Sequence, residues 1–106
     1  MISSVVEEVT IASLGKIVTG CTPPSGEPDL FGDQIPFLTP SDMSFGSKLV
    51  DTERFLSSEG GTRFSSRVLP AGSICFVCIG ATIGKMALTP TPVLTNQQIN
   101  SVVVDE

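Results

Sequence analysis

One hundred and six residues make one domain. Val, Ile and Thr supply 29 of them and Gly plus Pro 18, while charged residues are only 16%. This is the composition of a β-rich, often-punctuated chain, too apolar for disorder and without the heptads of a coiled coil. With no His, Trp or Tyr the chain has no imidazole for acid–base work or metal ligation, and a net charge of −5, taken alone, argues against a nucleic-acid partner, whose phosphates attract basic surfaces.

The charge is unevenly spread. Residues 60–104 hold Arg63, Arg67 and Lys85 and no acid, whereas residues 1–59 hold nine acids against Lys16, Lys48 and Arg54. The second half therefore predicts the more positive face. The longest apolar run, Ile74–Ile79, is far short of the roughly 20 residues of a membrane span. No basic-then-apolar leader is visible, so the cytoplasm and three reduced thiols are the expectation.

In chain order, residues 4–11 are β-branched and predict a strand, and 12–17 a helical turn ending near Gly15. Residues 20–33 are broken by Gly20, Pro23, Pro24, Gly26, Pro28 and Gly32 and predict a loop. Ile35–Thr39 reads as a strand in which Pro36 marks an edge or the strand's beginning. Pro40–Asp42 reads as a turn capped by Ser41 or Asp42. Residues 54–61 predict a short helix stopped by Gly60-Gly61. After the turn at 70–72, residues 73–79 predict a strand buried on both faces. Gly80–Gly84 predicts a tight turn, Lys85–Leu88 the returning strand, 89–92 a turn and Ile99–Val104 a final strand.

Three motifs suggest chemistry. Cys75-Phe76-Val77-Cys78 has C-x-x-C spacing, but it lies inside an apolar strand. Period-2 alternation puts its thiols on opposite faces, and four zinc ligands are lacking. Gly80-Ala81-Thr82-Ile83-Gly84-Lys85-Met86 is one residue short of a phosphate loop and has Met86 where Ser or Thr would hold magnesium. A tight turn with one Lys still suits a phosphate contact. Thr22-Pro23-Pro24-Ser25 lacks the polar residue and the aromatic of an amino-methyltransferase loop. No catalytic set and no cofactor loop results, so the chain is read as no enzyme, with no cofactor and no metal.

Two polar stretches stand apart. Thr95-Asn96-Gln97-Gln98-Ile99-Asn100 places amides between β-branched runs, where they serve either base edges or neighbouring backbone. Thr39-Pro40-Ser41-Asp42 serves either as a cap or as a contact.

Six segments occur in a fixed order: Leu14-Gly15-Lys16-Ile17, Gly20-Cys21-Thr22-Pro23, Ile35 to Asp42, Leu69-Pro70-Ala71-Gly72-Ser73, Gly80 to Lys85, and Thr95 to Asn100. Their order resembles the target recognition domain of type I restriction–modification specificity subunits, over roughly residues 9–104. The resemblance implies an α+β, β-dominated fold: a compact, twisted mixed β-sheet with short helical turns. It implies a non-catalytic module that reads double-stranded DNA at one half of a bipartite target, beside methyltransferase and restriction subunits. Family domains continue with further strands, so residues 1–106 are expected to be a single, partial recognition domain.

Arg63, Arg67 and Lys85 are the candidate phosphate contacts, and Gln97, Gln98, Thr39 and Ser41 the candidates for further DNA contact. The competing expectation is a protein-interaction or oligomerisation module that keeps the fold without binding DNA. A homodimer is expected through the last strand: Val102-Val103-Val104 is apolar, and without a neighbour it would present an open edge; the alternative is that the N-terminal strand, Val5 to Ile11, covers this edge and leaves a monomer.

Overall fold

The computed structural model describes residues 15–43, 51–77 and 84–104. Among these residues seven strands and one short helix follow in chain order: β1 (Gly15–Thr19), β2 (Phe31–Leu38), β3 (Arg54–Leu56), α1 (Ser58–Arg63), β4 (Ile74–Val77), β5 (Met86–Leu88), β6 (Leu94–Thr95) and β7 (Ile99–Val104). Single 3-10 turns cover Pro28–Leu30 and Pro40–Asp42. The fold is β-dominated with short helical pieces, divided over two sheets. One is antiparallel throughout, in the order β1-β7-β4-β5; the other is mixed, in the order β3-β2-β6, with β2 and β6 parallel.

Side-chain alternation stacks these elements into layers. Val18 and Val103 pack on a core of Leu38, Met43, Leu69, Cys75, Val77, Ala87, Val93 and Ile99, so one face of the antiparallel sheet meets the Leu38 face of β2. The opposite face of β2 presents Phe37 beside Leu94 and Leu56, against Phe64 and Val68 just after α1. The mixed sheet is thus the middle layer, buried on both sides. The outer face of the antiparallel sheet follows from the register: Ile17 opposes Val102, Val102 opposes Ile74, and Ile74 opposes Leu88. Val102 is buried there, but Ile17, Met86, Leu88 and Val104 are each at least 40% exposed.

Several expectations change. Gly15 to Ile17 belong to strand β1 rather than to a helical turn, because β7 supplies the ladder from Gly15↔Val104 to Thr19↔Asn100. The predicted loop at 20–33 holds a 3-10 turn, and its last residues already run in β2. Pro36 lies inside the central strand; β6 reaches only Phe37 and Leu38, so among the described residues the strand is bordered at Pro36 by β3 alone and an edge remains for the missing N–H. Arg54–Leu56 is a strand, and the helix begins after Ser57. Gly60 and Gly61 lie within α1 instead of ending it. A Cβ at Gly60 would strike the Leu30 carbonyl, and one at Gly61 the Ile35 side chain. The cap of the Pro40–Asp42 turn is Thr39: its N–H donates to Asp42 Oδ2 at 2.9 Å, and Glu53 N–H donates to Oδ1 at 3.2 Å. β4 alternates, with Cys75 and Val77 buried and Ile74 and Phe76 half-buried, so only one of its faces is fully covered.

The open edge expected at the last strand is also filled, and with it goes the edge-pairing route to a homodimer. β7 lies between β1 and β4, paired on both sides. The covering strand is Gly15–Thr19; the strand expected at 4–11, the turn at Gly80–Ile83 and Cys78 lie outside the described residues.

Candidate functional site

The polar candidates gather along the loops at the strand ends, joined by a hydrogen-bonded series. Arg67 Nη1 donates to the Thr19 carbonyl at 3.2 Å, at the end of β1. Beyond it, Gly20 N–H donates to Ile99 O at 3.2 Å and Cys21 N–H to Thr95 O at 2.9 Å. Gly20 permits this approach: a Cβ there would collide with Thr95 and with the Asn96 carbonyl. The Thr22 hydroxyl then donates to Gln97 Oε1, and Thr19 Oγ1 donates to Asn100 Oδ1 at 2.6 Å. On the other side, Asn96 N–H donates to Leu38 O at 3.0 Å, next to the Thr39 cap, and Lys85 Nζ donates to Pro40 O at 3.1 Å.

Each predicted residue therefore has a definite place. Gln97 and Gln98 are exposed on the turn between β6 and β7, where Asn96 Oδ1 accepts from Gln98 N–H at 3.0 Å. The amides tie down backbone and neighbouring side chains while remaining open to solvent. Ser41 is exposed and shares a 2.9 Å hydroxyl contact with half-buried Thr39. Lys85 is half-buried against the Pro40–Asp42 turn. Arg67, Gln97, Gln98, Thr39, Ser41 and Lys85 all lie on or beside the one series. Arg63 does not: it forms a two-pronged pair with Glu27, at 2.7 and 3.3 Å, which raises the pKa of its guanidinium. It is the one ion pair among the described residues.

Lys16 was not among the predicted residues. It lines an open groove of about 280 Å³ with Ile17, Val18, Thr19, Ser66 and Arg67. Its only sequence signal was membership of the Leu14–Ile17 segment. Thr19 and Thr22 were missed as well, since their partners come from the far end of the chain.

Two of the three thiols are described. Cys21 is half-buried and Cys75 buried, both free. Burial pushes the Cys75 thiol up, and the Ser101 hydroxyl, donating to Sγ at 3.3 Å, opposes that only in part. Among the described residues no three His, Cys, Asp or Glu side chains come together as metal ligands, and no helix is long and apolar enough to cross a membrane.

The arrangement defines a class: a small two-sheet β domain whose polar and cationic side chains collect at the strand ends. Comparison with known proteins supplies the family. The chain belongs to the type I restriction modification DNA specificity domain family, whose model matches residues 4–106. It is 38% identical over 100 residues to the type I restriction enzyme HindI specificity subunit of Haemophilus influenzae, covering 94% of this chain and 22% of that protein. It is 31% identical over 106 residues to the EcoR124I/EcoR124II specificity subunit of Escherichia coli, covering 95% of this chain and 26% of that protein. A chain from a solved type I R-M system shares the fold, with a TM-score of 0.67 at 16% identity over 91% of this chain and 23% of its own length. This chain spans about a quarter of the length of the curated relatives it matches.

Proposed function

We propose that this chain is a non-catalytic DNA-recognition module that contacts one half of a bipartite target. Its cytoplasmic partners are the methyltransferase and restriction subunits that carry the chemistry. The observation behind the reading is the family match across residues 4–106. The site's electrostatics support it. Among the described residues only Arg63 is neutralised by a carboxylate, so Lys16, Arg67 and Lys85 keep their charge for phosphates despite the acidic total. Gln97 and Gln98 project between Arg67 and Lys85 along the same series and are the candidates for base edges.

A mobility shift with random duplex DNA at low and moderate salt tests this. The expected result is a retarded band that weakens as salt rises. Arg67→Ala with Lys85→Ala should weaken it for all sequences alike, lowering the magnitude of the salt slope by about 0.9 for each phosphate no longer neutralised. Absence of any shift at low salt would refute the reading.

A second reading has its own observation. Ile17, Met86, Leu88 and Val104 form an exposed apolar outer face, which suits self-association into a homodimer, or an oligomerisation role without DNA. Sedimentation equilibrium at micromolar concentration should then give twice the chain mass, and Leu88→Lys should halve it. A single-chain mass throughout sinks the homodimer.

A further inference from the structure

The groove beside β1 has a main-chain component. Among the described residues β1 is an edge strand, paired only with β7. In an extended strand the N–H and C=O of one residue point the same way, and alternate residues point to opposite sides. The Thr19 carbonyl points away from β7, because it accepts from Arg67, while the next N–H, that of Gly20, points back to Ile99 O. The Thr19 and Ile17 N–H groups therefore also point outward, into the groove lined by Lys16, Ser66 and Arg67. Donors outnumber acceptors there: an ammonium, the guanidinium N–H groups not spent on Thr19, two backbone N–H groups and a hydroxyl. None of the described residues lining the groove is acidic. Arg67 crosses the strand edge at Thr19, which closes the edge to an added β-strand and leaves room for a compact anion.

We propose that this groove seats a single backbone phosphate of bound DNA, gripped jointly by Lys16 and Arg67, with the Ile17 and Thr19 N–H groups as main-chain donors. This rests on the DNA-recognition reading and names one fixed point of contact within it. A phosphate held by two elements at once, β1 and the segment after α1, sets the register of the duplex on the domain while carrying no sequence information.

The test is the salt dependence of duplex binding by the full chain and by Lys16→Ala, Arg67→Ala and the double variant. Far-UV circular dichroism checks that each is folded. Each neutralised phosphate contributes about 0.9 to the slope of log K against log salt. If both cations share one phosphate, the slope of the double variant falls by about 0.9 in total. A fall of about 1.8, meaning two separate phosphates, or no fall at all, overturns the proposal while leaving DNA binding intact. A duplex series with one neutral methylphosphonate at each position in turn gives a second readout. One position should weaken the parent chain yet leave the double variant indifferent, and the lack of such a position overturns the proposal. If the parent chain fails to bind duplex at about 50 mM salt, both the DNA reading and the proposal fail.

Discussion

Thr89 shows how single side chains hold this fold. Its hydroxyl accepts from Ser73 N–H at 2.9 Å and donates to Pro70 O at 3.0 Å, while its own N–H donates to Ser73 O at 3.0 Å. Thr89 and Ser73 are both buried, so loss of the hydroxyl leaves a buried donor unmatched. Thr89→Val keeps the shape and should destabilise the chain by about 1–3 kcal/mol, read as a lower urea midpoint at unchanged m-value. Cys75 gives a pH dependence. Its thiol has a higher pKa folded than unfolded, chiefly through burial, so folding favours the neutral form. That stability is fully present below the unfolded thiol value of about 8.5 and is lost as pH rises through the higher folded value. Urea midpoints between about pH 7 and 10 should fall with pH, and fall less steeply in Cys75→Ala.

Ser57 is the hinge among the elements. Its Oγ accepts from Gly60 N–H at 3.1 Å and donates to Asp29 O at 2.6 Å, so one hydroxyl caps α1 and ties it to the Pro28–Leu30 turn. Ser57→Ala should cost about 1–2 kcal/mol in chemical denaturation, more than a surface Ser such as Ser58. The same region shows what was legible in the sequence. The bounds of β7 follow from its β-branched run, and β4 and β5 lie within the strands predicted for them, because local composition and partner agree there. Arg54–Leu56 and Gly15 to Ile17 differ from the expected helical turns because their state depends on partners elsewhere in the chain: β2 for the first, β7 for the second. Gly60 and Gly61 look like a stop signal, yet they serve close packing against Leu30 and Ile35. At the site, the amide stretch and Arg67 stand out by residue type. The Arg63–Glu27 pair and the meeting of Lys16 with Arg67 arise only when distant elements dock.

At the scale of the whole molecule, the layers give the domain two unlike surfaces. The strand ends carry the polar series with Arg67 and Lys85, and the outer sheet face carries Ile17, Met86, Leu88 and Val104. Substitutions on the two surfaces should separate: Arg67→Ala should weaken duplex binding without changing the mass in sedimentation, whereas any change of mass in Leu88→Lys should leave duplex affinity unaltered. Val103 belongs to neither surface. It packs against the core between the sheets, so Val103→Lys should lower stability instead of reporting on association.

The pairing of β1 with β7 also governs the order of assembly. Gly15 must find Val104, and Phe37 must find Leu94, before either sheet is complete. Closing such long loops costs entropy before any contact is gained, which places the chain among slow folders, on the order of milliseconds to seconds rather than microseconds. During synthesis β1 waits unpaired until Ile99–Val104 has emerged, so the groove beside Lys16 is among the last features to form. With no Trp or Tyr to report by fluorescence, stopped-flow circular dichroism is the measurement, and the strand signal should develop on this millisecond-to-second timescale.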